Sequence, residues 1–184
     1  MNRRFDPSRR DRIIDVTIEA IAEVGVAGLS ARKVATRADV PLGSMTYHFT
    51  DMDELLREAF TRFADRVARR FEERMGSAST VAEAKAAVAR TIHEDVFDTP
   101  ASLVLTHELY TLAARVPAYR TITRDWMRRS RSALERHFSP ATARQLDALV
   151  EGLTIHRALD TEPHDVEVTL DAIEKICQDG AAQG

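Results

Sequence analysis

An all-α fold of about nine helices is predicted by three features of this 184-residue chain. Apolar residues recur at spacings of three and four, which is helical periodicity, and the strict alternation of a half-buried strand is absent. The apolar stretches are bounded by residues that start or stop helices. Glycine and proline are sparse, aromatics make up 6% and charged residues 30%, a composition that fits a soluble helical protein.

The elements follow in order. Ser8, with Asp11 three residues on, opens a first helix whose apolar face is Ile14, Thr17, Ile18, Ile21 and Val24, and Gly25 closes it. Ser30 is placed to cap a short second helix, because its hydroxyl can accept from an amide of the first turn. On that helix Val34, Ala35 and Ala38 share one face, and Arg32, Lys33 and Arg37 lie elsewhere. Ala38-Asp39-Val40 makes the break. Pro41 disfavours helical geometry at Val40 and has the right φ to begin a third helix, about Pro41 to His48. Gly43, Ser44 and Thr46 make one side of it small and polar, and Met45 and Phe49 can anchor the other. Two short helices at a sharp angle, the second slim and flanked by basic residues, fit a DNA major groove.

Asp51 with Glu54 opens a long helix to about Met75, with Leu55, Leu56, Ala59, Phe60, Phe63 and Val67 as its apolar stripe and Gly76-Ser77 as its end. Thr80 with Glu83 begins a helix to about Phe97, and Thr99-Pro100 begins the next. Pro117 restarts the chain, with Tyr119, Ile122, Trp126, Ala133 and Phe138 at helical intervals. Ser139-Pro140 and Glu162-Pro163 open the last two helices. No long flexible linker interrupts the series, so the helix from Asp51 is expected to join the front of the chain rigidly to the rest.

Charge and chemistry narrow the function. The net charge of −3 conceals an asymmetry: residues 1–50 carry eight Arg and Lys against six Asp and Glu, and residues 139–184 carry three against nine. Arg3, Arg4, Arg9, Arg10 and Arg12 cluster just before the first helix, where a local basic surface can hold phosphates. No apolar run approaches the ~20 residues that cross a bilayer, so no membrane partner is expected. The N-terminus lacks the apolar core of a secretory signal, and the single cysteine, Cys177, fits a reducing compartment; a cytoplasmic location is expected. His93-Glu94 and His107-Glu108 begin like a zinc-binding helix, but neither has the second histidine four residues on. Gly-rich phosphate loops, a serine elbow and Cys-x-x-Cys are absent as well. No catalytic residue, metal or cofactor is therefore expected, and the chain does not read as an enzyme.

The segment from Arg12 to Leu56 resembles the N-terminal domain of the tetracycline-repressor (TetR) family. The resemblance runs through Ile13-Ile14, Ala20, Gly25, Gly28-Leu29-Ser30, Arg32-Lys33-Val34-Ala35, Val40, Gly43-Ser44, Tyr47-His48-Phe49 and Glu54-Leu55-Leu56. Two positions depart from it. Met52 stands where the family commonly has a phosphate-contacting lysine, and Pro41 stands where a serine or similar cap is frequent.

The resemblance implies a helix-turn-helix DNA-binding domain over residues 1–50 and a helical effector-binding and dimerisation domain over 51–184. It implies a homodimer on double-stranded operator DNA, a repressor released by a small molecule. Arg32 matches a position from which an arginine can reach a guanine edge. Leu42 and Gly43 fall at the groove-facing start of the third helix, with Leu42 placed to touch a thymine methyl; Ser30, Ser44, Thr46, Tyr47 and His48 would grip phosphates, and Lys33 and Pro41 join the DNA-binding set. The effector would sit among Phe63, His93, Phe97, His107, Tyr110 and Trp126, although each ring also suits an ordinary core. The dimer would form through Leu146, Leu149, Gly152, Leu153, Val166, Leu170, Ile173 and Cys177. A glycine inside a helix costs roughly 1 kcal/mol relative to alanine, so Gly152 asks for a close neighbour. The alternative is a helical ligand-binding or interaction protein whose DNA-binding element is inactive, and Met52 is the residue that favours it.

Overall fold

A computed structural model describes residues 8–95 and 99–181. They form α1 (Arg9–Val24), a 3₁₀ turn (Val26–Gly28), α2 (Ala31–Arg37), α3 (Gly43–His48), α4 (Met52–Gly76), α5 (Val81–Arg90), a π turn (Thr91–Asp95), α6 (Pro100–Arg115), α7 (Pro117–Leu134), α8 (Pro140–Leu159) and α9 (Val166–Ala181). No strand occurs among the described residues. The all-α expectation holds.

The chain divides into two compact units. The described residues up to Ala64 with Val104–Ile122 make one, and Asp65–Leu103 with Thr123 onward make the other. The first unit thus takes in the first half of α4 and most of α6 beside α1–α3.

In the first unit α1 packs on α2 and α2 on α3. Ile13, Ile14, Ile21, Val34, Leu55, Ala59, Phe60 and Leu109 are completely buried there. Val24 is a correction to the predicted apolar face of α1. It follows the last buried residue, Ile21, by most of a turn, and at 53% exposure lies beyond the core. The Tyr119 ring meets Phe60 edge-on, with centroids 6.1 Å apart, and its hydroxyl donates to Asp53 Oδ1 at 2.6 Å.

In the second unit α9 packs against both α5 and α8. The core there is Phe71, Met75, Ala84, Ala87, Val88, Ala89, Ile92, Ala133, Leu134, Ala143, Leu146 and Ile173. Arg129 closes one side with charge-assisted hydrogen bonds of 2.7 Å to Asp65 and to both oxygens of Glu72.

Most helix starts are capped as the sequence implies. Ser30 accepts from the Lys33 amide at 3.3 Å, Thr80 from the Glu83 amide at 3.2 Å, and Ser139 from the Thr142 amide at 3.2 Å. Asp51 accepts from the Glu54 amide at 2.7 Å, while the Glu54 carboxylate reaches back to the Thr50 amide at 2.7 Å.

Two boundaries differ from expectation. The helix predicted to reach Phe97 stops being α-helical at Arg90. The Thr91 hydroxyl bonds back to the Ala87 carbonyl at 2.9 Å, and Arg157 Nε donates to the Ile92 carbonyl at 2.9 Å; both claim acceptors that a regular helix would use. The last helix begins at Val166 rather than at Pro163. Asp160 accepts from the Thr161 and Glu162 amides at 2.7 and 3.1 Å, folding a turn through this stretch, and Asp165 accepts from the Glu167 amide at 3.0 Å.

Asp147 on α8 yields a pH prediction. Burial lifts its carboxyl from 3.8 to about 6, although Arg131 3.4 Å away pulls the other way. The unfolded chain therefore releases this proton first, and stability falls as pH rises from 3.8 to about 6. Asp147→Asn should flatten that decline. Melting temperatures across this range check it, and an unchanged slope would count against the assignment.

Candidate nucleic-acid interface

The link between α2 and α3 is built mostly by backbone. The Asp39 amide donates to the Thr36 carbonyl at 3.2 Å and the Val40 amide to the Ala35 carbonyl at 3.0 Å, the two bonds of a Schellman ending. Asp39 sits at φ 51, a left-handed geometry that aspartate tolerates better than most residues. The Ser44 amide then donates to the Pro41 carbonyl at 2.8 Å and the Met45 amide to the Leu42 carbonyl at 3.0 Å, turning the chain into α3.

On α3 the helical step separates buried anchors from exposed side chains. Met45 and the following Phe49 are each 4% exposed, whereas Leu42 is 48% and Tyr47 80% exposed. Pro41, Gly43 and Thr46 are also exposed. Ser44 departs from the expected phosphate grip: at 8% exposure it lies on the anchoring side beside Met45. His48 is half-buried with its ring edge-on to Tyr47 at 4.8 Å. Burial first, then Arg9 and Arg10, hold its imidazole below the ordinary value, so it meets neutral pH uncharged.

Basic side chains lie on α1 and α2 of the same unit. Ser30, Arg32 and Lys33 are exposed on the α2 side, and Lys33 Nζ donates to the Gly28 carbonyl at 2.7 Å. Arg10 forks onto Glu58 with bonds of 2.8 and 3.3 Å and lies 5.1 Å over the Phe49 ring. Arg12 Nε donates to the Ala38 carbonyl at 3.1 Å, tying α1 to the end of α2. Arg37 is paired with Glu23 and Glu19 of α1. Arg3 and Arg4 lie outside the described residues. The bonds of Arg10, Arg12 and Arg37 tie α1 to α2 and to α4, and α3 presents its exposed side outward.

The residues expected to bind an effector fall in both units. Phe63 is buried on α4, and His107 and Tyr110 are half-buried on α6, all in the first unit. His93 and Trp126 are half-buried in the second unit, and Phe97 lies outside the described residues. His93 Nε2 is 2.9 Å from Thr169 Oγ1, and burial with nearby Arg157 and His164 holds its imidazole below the ordinary value.

The residues expected at a dimer interface sort by face. Leu146 and Ile173, 0% and 1% exposed, belong to their own subunit's core and have no surface to offer a partner, which corrects their assignment. Leu149, Leu153 and Cys177 are partly buried against the same core. Val166 and Leu170 are exposed, joined by Val168 and Leu159, which the sequence analysis did not assign to the interface. A Cβ added at Gly152 would meet nothing within 4 Å. No part of its own chain therefore requires that glycine.

Two family models match this chain. "Bacterial regulatory proteins, tetR family" matches residues 13–59 and "Tetracyclin repressor-like, C-terminal domain" matches residues 76–178. The chain belongs to the TetR family. Among solved structures, a transcriptional regulator of Streptomyces coelicolor A3(2), SCO7518, is 58% identical, with 93% of this chain and 99% of that chain covered and a TM-score of 0.89. The multidrug binding protein EbrR complexed with ethidium is 33% identical, covering 92% and 98% of the two chains at a TM-score of 0.77. The HTH-type transcriptional regulator BetI of Burkholderia thailandensis is 30% identical over 173 residues, 88% of each chain.

This TetR-family chain is a DNA-binding transcriptional regulator of the helix-turn-helix type. No helix among its described residues is long and apolar enough to cross a membrane. Three features of its head escaped sequence reasoning: the left-handed Asp39, the Arg10–Phe49 stack, and Glu108, whose Oε1 accepts from the Val26 amide at 3.1 Å from 82 residues away. For Asp39 a signal was present, since aspartate is among the few residues suited to end a helix this way. For the other two, local sequence holds none.

Proposed function

We propose that the protein is a homodimeric, sequence-specific operator-binding repressor released by a small aromatic molecule. The observation that carries the DNA-binding half is the division of α3 into an anchored side and an exposed side bearing Leu42, Gly43, Thr46 and Tyr47. The dimer rests on Gly152, whose lack of a side chain is not needed inside its own chain, and on the exposed Val166, Val168 and Leu170. The effector half rests on the ethidium complex of EbrR, a protein 33% identical to this chain, and on the half-buried rings of His107 and Tyr110 on α6, which suit a fused-ring ligand.

Capture of genomic DNA fragments by the full-length protein at physiological salt tests the reading and supplies the operator. Binding of ethidium to the protein in the absence of DNA, followed by its fluorescence, tests the effector half, because ethidium also intercalates into the fragment itself. Met52, in place of the family's phosphate-contacting lysine, favours one other reading, a ligand-binding helical protein with an inactive head. Retention of no fragment together with ethidium binding would favour that reading.

Arg32 is assigned to a guanine, bidentate to O6 and N7. Arg32→Ala should cost about 1–3 kcal/mol at one base pair and relax the preference there. Operator variants with single base changes check this; a variant protein that discriminates among them as the parent does removes Arg32 from the base readers.

A further inference from the structure

We propose that Glu108 is a positioning residue of the reading head: its carboxylate caps the turn between α1 and α2 and transmits the position of α6 to them. The proposal rests on the operator-binding reading above.

The turn needs an acceptor from elsewhere. Gly25 ends α1, its amide donating to the Ile21 carbonyl at 2.9 Å, and it precedes the 3₁₀ turn at Val26–Gly28. The first amides of such a turn have no partner within it, and a glycine at the capping position has no side chain to supply one. Glu108 of α6 fills that role, with Oε1 accepting from the Val26 amide at 3.1 Å.

Gly25 is fitted to this arrangement twice. It adopts φ 67 and ψ 170, a region that is essentially restricted to glycine. A Cβ at this position would lie 2.5 Å from Glu108 Oε1, inside contact distance. Any larger residue would both strain the turn and expel the carboxylate. The turn in turn sets Leu29 and Ser30, the residues from which α2 departs.

The same helical corner is fastened elsewhere. Arg120 donates to the Ala113 and Ala114 carbonyls at 2.8 and 3.1 Å, locking the end of α6 to the start of α7. Tyr119 holds that corner to Asp53 in the first turn of α4 at 2.6 Å. Between that corner and the start of α6, Glu108 is a contact that a small movement of this part of α6 would break. A hydrogen bond of this length weakens past about 3.5 Å, whereas one residue of helix rise is ~1.5 Å. A slip of α6 by less than one residue therefore removes the cap. His107 and Tyr110, proposed to touch the effector, flank Glu108 on the same turn of α6.

The test compares the full-length parent with Glu108→Ala and Glu108→Gln, since glutamine keeps an acceptor oxygen and loses the charge. Amide exchange at Val26, amide NMR signals of Arg32 and Tyr47, and affinity for the captured operator are read together. Glu108→Ala should speed Val26 exchange about tenfold or more, move the Arg32 and Tyr47 signals, and weaken operator binding about tenfold, and Glu108→Gln should restore all three. Unchanged exchange at Val26 in Glu108→Ala overturns the proposal. So does faster exchange with the head signals and the affinity as in the parent, or a glutamine variant that restores nothing. If the parent captures no operator, the operator-binding reading fails by itself, and exchange at Val26 with the head signals still decides the role of Glu108.

Discussion

Gly152→Asp is expected to convert the dimer into folded monomers and to lower operator affinity by about 10²- to 10⁴-fold, the typical gain from linking two binding modules. The reading head would be untouched, because Gly152 lies on α8 in the second unit and the residues proposed to face DNA lie on α2 and α3 in the first. The loss arises from geometry. Two heads engage half-sites about 34–36 Å apart, and a monomer holds only one. A Cβ at this position meets nothing within 4 Å in its own chain, so the fold should tolerate a side chain there. Against a partner's apolar surface, however, the new carboxylate would be a buried and unpaired charge. Leu149→Asp should act in the same direction with some loss of stability, because Leu149 also packs on its own core. Leu146→Asp is the control: Leu146 is completely buried, so that variant should unfold rather than dissociate. Sedimentation showing an intact dimer for both Gly152→Asp and Leu149→Asp would place the interface on another surface.

Tyr119→Ala should destabilise the first unit by about 3–5 kcal/mol, the range for removing a buried aromatic ring. Tyr119 is 1% exposed, so truncation leaves a cavity beside Phe60. The hydroxyl can be separated from the ring. Burial raises the Tyr119 phenol above its ordinary value, so it stays protonated and donates to Asp53. Tyr119→Phe keeps the packing and removes one hydrogen bond to a charged acceptor, typically worth about 1.5–3 kcal/mol. The cost at Asp53 is softened because that carboxylate also accepts from Arg57 within the same helix turn. Thermal unfolding with exchange protection of the head amides should therefore rank parent, Tyr119→Phe and Tyr119→Ala in descending order. Equal protection in the last two would mean that the ring contributes nothing.

Helix existence was legible from the sequence wherever a side chain caps its own helix. Ser30, Asp51, Thr80 and Ser139 each bond within three residues, so their signals are local. The misread boundaries share the opposite property. The π turn after α5 coincides with a bond from Arg157, 65 residues away, which no window on residues 91–95 contains. Pro163 can begin a helix, but Asp160 and Asp165 compete for the neighbouring amides and move the start to Val166. Face assignments failed where two apolar faces share one helix. On α8, Leu146 points into the subunit while Gly152 opens outward, and helical periodicity alone gives no sign of which stripe a second chain would cover. The head itself read well, with Met45 and Phe49 inside and Leu42 and Tyr47 outside. Its misplaced member, Ser44, is small and polar enough to suit either side.

The division of labour on α3 bears on how readily such a protein acquires new targets. Met45 and Phe49 fix the helix, and the Schellman ending before it is made of main-chain bonds that no exposed side chain of α3 supplies. Leu42, Gly43, Thr46 and Tyr47 can therefore be exchanged while the scaffold persists. Gly43 has room for a side chain, because a Cβ added there would touch nothing within 4 Å. If these four positions and Arg32 read the operator as proposed, their exchange gives a small combinatorial alphabet for recognition. Duplicated copies of such a gene can drift to separate promoters by changes at these sites alone, each step leaving a stable protein behind.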